Sequence, residues 1–119
     1  MTTGLFLGTL PEQKIFNALI TLGYEGKFEF QSGQFGGRTQ RGGLVFDFYI
    51  PELRISINCQ GIYWHYTREG GGARDKIQRL QAESNGIRLI YIDEDDANRN
   101  AVWYVKEALR GIDHSRMTT

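Results

Sequence analysis

The sequence predicts a mixed α/β fold in which helices pack on the faces of a mixed β-sheet. Three observations lead to it: a strongly marked first helix, a hairpin followed by a second helix, and an apolar strand followed by a last helix. The chain has 119 residues, of which 40% are hydrophobic and 13% aromatic, as is typical of a globular protein. At this length we expect one domain over residues 1–119.

The first helix is predicted from the segment Thr9-Leu10-Pro11-Glu12, which offers an N-cap, a first-turn proline and a capping-box glutamate. Apolar residues then recur at helical spacing until Gly23 ends the run. The alternating segment from Lys27 to Gln31 predicts a short strand.

A glycine-rich segment from Ser32 to Gly43 separates this strand from the next. It carries Arg38 and Arg41 and has no apolar periodicity, which predicts a mobile, positively charged loop. Gly61 to Gly72 holds a cluster of aromatic residues and then a second flexible, glycine-rich patch.

Two strands are predicted between these loops. Leu44 to Ile50 forms the first, Pro51-Glu52 makes a tight turn, and Leu53 to Cys59 returns beside it as a hairpin.

The last third of the chain predicts a helix, a strand and a helix. Ala73 to Ser84 is amphipathic, with Ile77, Leu80 and Ala82 apolar. Ile87 to Ile92 is an almost continuous apolar run, which indicates a strand buried on both faces. A final helix is expected over residues 98–109, with its inner face formed by Val102, Val105 and Leu109. The predicted order is α-β-β-β-α-β-α.

Composition narrows the function classes. Fourteen basic and fourteen acidic residues balance, so net charge alone does not indicate a polyanionic partner. A single cysteine, Cys59, excludes an internal disulfide framework and suits a reducing cytoplasm. No apolar run is long enough to span a bilayer, so we expect a cytoplasmic protein with no membrane partner.

Two acids are candidates for chemistry, and each also has a simpler explanation. Asp47 interrupts an apolar strand, where a carboxylate costs desolvation free energy unless a positive group faces it. It equally suits a solvent-facing position of an alternating strand. Glu12 completes a capping box and needs no further role.

Polar residues near the end of the returning strand form a second group. Asn58 and Gln60 flank Cys59 and would project beside Asp47 if the two strands pair. Alone they indicate only the end of a strand. His65 lies among aromatic residues in the sequence, which is typical of a histidine that packs with them and has no catalytic role. Cys59 has no second ligand at zinc spacing, which excludes a zinc site there.

Together, Glu12, the glycine-rich loop, Asp47 and Asn58-Cys59-Gln60 resemble the PD-(D/E)xK nuclease superfamily. Its restriction-endonuclease-like αβββαβ core carries a helical acid, a strand aspartate and an acid-x-lysine on the next strand. Glu12 and Asp47 match the two acids. Asn58 and Gln60 stand where the acid and the lysine belong, so the resemblance also implies a weakened or inactive enzyme as an alternative.

Two branches are the most similar. The segment from Gln60 to His65, with the helix after it, resembles the very-short-patch repair endonucleases. That likeness implies metal bound by Asp47 and the Cys59 carbonyl, with His65 as an acid–base group. Gln60 replaces a histidine, and that branch's zinc cysteines are absent.

Ser32-Gly33 before the loop leading to Asp47 resembles the archaeal-type Holliday junction resolvases, small dimeric enzymes often found in phages. That likeness makes Ser32 a further catalytic candidate and implies a homodimer acting on four-way junctions.

The implied reaction is metal-dependent hydrolysis of DNA phosphodiester bonds. Mg²⁺ or Mn²⁺ would be held by Asp47 and Glu12, with Cys59 and Asn58 as further ligands. Gln60 would orient the attacking water. Phosphate contacts are expected from the basic residues in or near the loops: Arg38, Arg41, Arg68, Arg74, Lys76 and Arg79.

Three functions therefore remain open from the sequence. The first is a Holliday junction resolvase, the second is a nicking endonuclease of the very-short-patch repair type, and the third is a DNA-binding module that keeps the fold without catalysis.

Overall fold

The computed structural model describes residues 8–30, 40–41, 44–61 and 71–116, with the backbone alone for residues 40–41, 44–45 and 71–75. The helices are α1 (Leu10–Thr21), α2 (Gly71–Ser84) and α3 (Glu94–Leu109). The strands are β1 (Glu29–Phe30), β2 (Gln40–Arg41), β3 (Leu44–Val45), β4 (Phe48–Ile50), β5 (Ile55–Gln60) and β6 (Arg88–Asp93). Within these residues, no helix combines the length and the apolar character that crossing a membrane requires.

Four strands form one mixed sheet in the order β1-β4-β5-β6. The pairs β1/β4 and β4/β5 are antiparallel, and β5/β6 is parallel because α2 provides the crossover between them. The strands β2 and β3 pair separately with each other. The order α1, β1, β4, β5, α2, β6 confirms the predicted mixed α/β fold with an αβββαβ core.

Helix α1 begins as the sequence predicts. The backbone N–H of Thr9 donates to Oε1 of Glu12 at 2.8 Å, and the N–H of Glu12 donates to the Thr9 hydroxyl at 3.3 Å. This capping box satisfies donors that the first turn leaves without helical partners.

Apolar clusters cover both faces of the sheet. Helices α1 and α3 pack on one face, where Ile90 and Ile92 of β6 are buried. Ala82 of α2 packs on the other face with Leu89 and Tyr91 of β6. Because alternate residues of β6 enter different clusters, its predicted burial on both faces is confirmed.

The predicted strand from Leu44 to Ile50 is instead two strands, β3 and β4, with a break at Phe46 and Asp47. At the break, the N–H of Asp47 donates to the side chain of Asn58, and the Asp47 carboxylate accepts the N–H of Cys59. Hydrogen bonds to side chains thus replace the regular backbone hydrogen bonds between the strands at this point. Residues 40–41 of the predicted loop form β2, and its residues 32–39 and 42–43 lie outside the described residues.

Helix α3 begins at Glu94, four residues before its predicted start, and is irregular at Asn100. There φ is −160° and ψ is 71°, and Oδ1 of Asn100 accepts the N–H of Trp103, so the asparagine caps the second half of the helix. Val102 is 41% exposed rather than on the inner face.

Ile77 and Leu80 of α2 are 56% and 68% exposed, so among the described residues they form no core face. Ala82 is the apolar residue of α2 that the core contains.

Candidate functional site

Asp47 lies at the break before β4, next to the carboxyl end of β5, and is 8% exposed. Its Oδ2 accepts the backbone N–H of Cys59 at 3.0 Å, and its own N–H donates to Oδ1 of Asn58 at 3.0 Å. These two hydrogen bonds, one to the carboxylate and one from the N–H of the same residue, hold Asp47 against the end of β5.

Asn58 is 6% exposed and holds this arrangement together. Its Oδ1 accepts the Asp47 N–H and also the hydroxyl of Ser56, each at 3.0 Å. An amide oxygen has two lone pairs, so both acceptor sites of this atom are used. The structure thus brings Asn58 to the predicted place and gives it the role of positioning Asp47.

The Cys59 thiol is subject to the charges of several carboxylates. Burial raises the pKa of its thiol well above the ordinary value, which keeps the sulfur protonated and neutral. Four negative charges raise that pKa further, in decreasing order those of Asp47, Glu12, Glu94 and Asp93. The charges of four acids from three parts of the chain, residues 12, 47 and 93–94, thus act on one residue.

Glu12 enters this group from the first turn of α1, so the capping box also sets the place of a site residue. Its Oε1 accepts the Thr9 N–H. Within the described part of the chain no hydrogen bond reaches Oε2, which leaves one carboxylate oxygen of Glu12 able to bind another ligand. Glu12 and Asp47, the two predicted acids, both act on the Cys59 thiol.

The parallel pairing of β5 with β6 adds residues that the sequence analysis did not select. Gln60 pairs in register with Asp93, and both side chains are 1% exposed. Glu94 follows at the start of α3. In the sequence these acids were visible as a run after a buried strand. Parallel strands end at the same edge of a sheet, where α/β proteins bind ligands, so such a run indicates candidate site residues.

Asp93 also belongs to a cluster with Asp95 and Asp96, whose carboxylate oxygens lie within 4.8 Å of one another. Arginines already engage these acids. Arg116 donates to Asp93 at 2.9 Å and to Asp95 at 2.8 Å, and Arg99 donates to Asp96 at 2.6 Å. A cation in this cluster would compete with two guanidinium groups.

The predicted DNA-binding residues are placed only in part. Lys76 is exposed on α2. Arg79 forms an ion pair with Asp113, and its Cζ lies 4.9 Å from the centre of the Tyr91 ring, so its guanidinium anchors the segment after α3. Arg41 lies in β2 and Arg74 in α2, with backbones alone described. Four predicted site residues lie outside the described residues: Ser32, Arg38, His65 and Arg68.

The donor set at the end of β5 fits a hard divalent cation. Carboxylate and backbone carbonyl oxygens are the ligands that Mg²⁺ and Mn²⁺ prefer, and Asp47, Glu12 and the strand end at Cys59 offer both kinds. The charges that act on the Cys59 thiol repel one another as well, and a cation among them would relieve that repulsion.

No family model matches the chain, and no curated protein matches it in sequence. Among solved structures, the fold is similar to that of the homing endonuclease I-Bth0305I catalytic domain, with a TM-score of 0.58. The two share 18% sequence identity, and the match covers 87% of this chain and 90% of the other. At this identity the likeness shows a common fold.

Proposed function

We propose that this chain is a metal-dependent DNA endonuclease, a hydrolase of phosphodiester bonds whose site lies at the carboxyl end of β5. One observation carries the proposal: the buried Asp47 carboxylate is held at the end of β5 by the Cys59 N–H, and the charge of Glu12 in α1 acts on the same residue. The similarity of the fold to a homing endonuclease catalytic domain supports the same function.

Asp47 and Glu12 would hold the cation through their carboxylates, with the backbone carbonyl of Cys59 as a third ligand. Bound Mg²⁺ or Mn²⁺ supplies a Lewis acid for the scissile phosphate and activates water for attack. Asn58 would take no place in this ligand set, because both acceptor sites of its Oδ1 serve Asp47 and Ser56. Its contribution is to keep the Asp47 carboxylate at a fixed position.

The remaining roles follow from the sequence resemblance. Gln60 would orient the attacking water, and its burial limits that role to a water held inside the site. His65 would move a proton as an acid–base group, since imidazole side chains ordinarily titrate near a pKa of about 6.5. Ser32 would assist catalysis from the glycine-rich segment. Loop arginines and Lys76 would contact phosphates without recognising a base sequence.

Two substrate classes compete. The similar structure is named as a homing endonuclease, which favours cleavage of linear duplex DNA at particular sites. The Ser32-Gly33 pattern favours four-way junctions, with two copies of the chain making paired cuts. We propose the duplex as the first candidate, because its support extends over most of the chain, whereas the junction depends on a short motif.

A cleavage assay with two substrates tests the proposal. The purified chain is incubated with linearised plasmid, which offers many sequence contexts, and with a labelled four-way junction, each in Mg²⁺, Mn²⁺ and EDTA. We expect metal-dependent cuts at discrete plasmid positions. Cuts confined to the junction would identify a resolvase instead. If neither DNA were cut in either metal, the chain would be a binding module and the proposal would be wrong.

A further inference from the structure

A cavity of about 420 Å³ lies at the opposite end of the sheet from the candidate active site. Three arginines line it, Arg54, Arg88 and Arg110, and no carboxylate does so among the described residues. In a chain with equal numbers of acids and bases, this is a local concentration of positive charge. Its volume falls in the range of about 300–1,000 Å³ that is typical of sites for small ligands.

Two of these guanidinium groups are held in place by backbone carbonyls. Nε and Nη2 of Arg54 donate to the carbonyls of Gly86 and Asn85 at 2.9 and 3.2 Å. Nη1 of Arg88 donates to the carbonyl of Gly111 at 3.2 Å. These carbonyls follow α2 and α3, so both arginines complement helix C-termini.

Glycines allow this close approach. A Cβ on Gly86 would lie 3.0 Å from Nη2 of Arg54, and one on Gly111 would lie 2.9 Å from Nη1 of Arg88. Both glycines have positive φ, of 78° and 83°. The two guanidinium groups therefore rest against bare backbone, which fixes their positions before any ligand arrives.

The helix-capping role leaves charge and donors unused. A guanidinium has five N–H donors, of which Arg54 uses two and Arg88 one on these carbonyls. Within the described residues neither arginine has a carboxylate partner, whereas Arg110 pairs with Glu107 at 2.8 Å. Carbonyl dipoles orient the two guanidinium groups without cancelling their unit charges.

We propose that this cavity binds a phosphate group. Three guanidinium groups that line one cavity match a tetrahedral anion with several oxygens better than a planar carboxylate, which presents two. Free phosphate and the backbone of DNA both supply such a group, and the chemistry of recognition is the same. The site is separate from the candidate active site, since five residue steps along β5 place them about 17 Å apart.

Amide NMR of the intact chain tests this proposal without any variant. Sodium phosphate is titrated at constant ionic strength against sodium acetate and sodium chloride. We expect saturable phosphate-dependent shifts at Gly86, Arg110 and Gly111, with Gln60 and Asp93 at the other end of the sheet unchanged. Shifts that do not saturate, or equal affinity for acetate, would overturn the proposal.

Substitutions in the cavity give the second measurement. Arg54→Gln and Arg88→Gln should each weaken phosphate binding about tenfold, while Arg99→Gln, near the other end of α3, leaves it unchanged. If loss of the capping contacts prevents folding, Arg54→Lys and Arg88→Lys serve instead. They keep the positive charge but lose the planar set of guanidinium donors, so weaker binding is again expected. Unchanged affinity in the folded cavity variants would contradict the site.

A short double-stranded oligonucleotide in EDTA separates the two sources. Shifts at the same amides, with displacement of phosphate, would assign the cavity to the DNA backbone. Saturation by phosphate without any response to the oligonucleotide would assign it to the free anion. Either result supports a phosphate site, and the outcome is independent of whether the chain cleaves DNA.

Discussion

Glu12 shows how one side chain can serve both folding and the proposed chemistry. One carboxylate oxygen closes the capping box of α1, and the same carboxylate contributes to the field at Cys59. A glutamate at this position was identifiable from sequence because the capping motif is local. That its charge also acts on Cys59 depends on the packing of α1 against the sheet, which no local pattern contains.

Glu12→Gln separates the two roles. Glutamine keeps an oxygen for the Thr9 N–H, so the free energy of unfolding should change by less than about 0.5 kcal/mol. Loss of the charge should slow cleavage at least about tenfold, or about 1.4 kcal/mol of barrier. Denaturation curves and cleavage rates measure both quantities.

Thr9→Ala is the matched control, because it removes the hydroxyl acceptor and keeps the carboxylate and its backbone donor. It should cost about 1 kcal/mol of stability and leave the cleavage rate nearly unchanged. A Glu12→Gln protein that is destabilised and fully active would return Glu12 to a capping role alone.

The other residues of the site differ in how far sequence could identify them. Asp47 was recognisable because an acid in an apolar strand is chemically unusual. Asp93 and Glu94 were visible only as acids after a strand, and their relevance comes from the parallel pairing of β5 with β6. Arg116, which binds Asp93 and Asp95, lies in a polar tail that carries no pattern.

At the scale of elements, types were predictable and boundaries were not. Local patterns predict some of the elements. The capping box marks the start of α1, Gly23 marks its end, and the apolar run predicts β6. The break between β3 and β4 arises from hydrogen bonds between Asp47 and β5, and the irregularity of α3 from a single asparagine side chain. Such contacts depend on residues distant in sequence or on one rotamer, so periodicity does not reveal them.

Two glycines after helices allow a test at this scale. Gly23 and Gly111 have φ of 93° and 83°, so alanine at either position should cost about 1–2 kcal/mol of stability. A Cβ on Gly23 meets open space, whereas one on Gly111 displaces only the end of the Arg88 side chain. Chemical denaturation should therefore give similar losses for Gly23→Ala and Gly111→Ala. A loss at Gly111 larger by several kcal/mol would mean that Arg88 cannot yield.

Over the whole molecule, the two ends of the sheet differ in charge. Acids gather at the carboxyl ends of β5 and β6, and arginines line the cavity at their amino ends. The balanced composition conceals this separation, because the charged residues come from positions scattered along the chain. The fold order could be predicted from sequence, but the grouping of charge required the topology.

Arg116 ties the end of the chain to the acidic end of the sheet, and this contact should depend on pH. Its hydrogen bond lowers the pKa of Asp95 below the ordinary value. A lowered folded-state pKa gives stability that is complete above the unfolded pKa of about 3.9 and is lost as pH falls further. Both side chains are about half exposed, so we expect less than about 1 kcal/mol from this pair.

Arg116→Gln should cost about 2 kcal/mol at neutral pH, since it also removes a charged hydrogen bond from the buried Asp93. The difference from the parent protein should shrink below pH of about 4. Lys106→Gln, which removes an exposed charge from α3, is the control and should cost little at any pH. A difference for Arg116→Gln that is constant from neutral to acid pH would contradict the assignment.

The cleavage rate of Asp47→Asn tests the central claim most directly. Asparagine keeps an oxygen for the Cys59 N–H, so stability should change by less than about 1 kcal/mol. Loss of the carboxylate should abolish cleavage that the parent performs in Mg²⁺ or Mn²⁺ and not in EDTA. Glu52→Gln, in the exposed turn after β4, should cleave at the parental rate. A folded Asp47→Asn protein that cleaves as fast as its parent would show that the end of β5 is not the metal site.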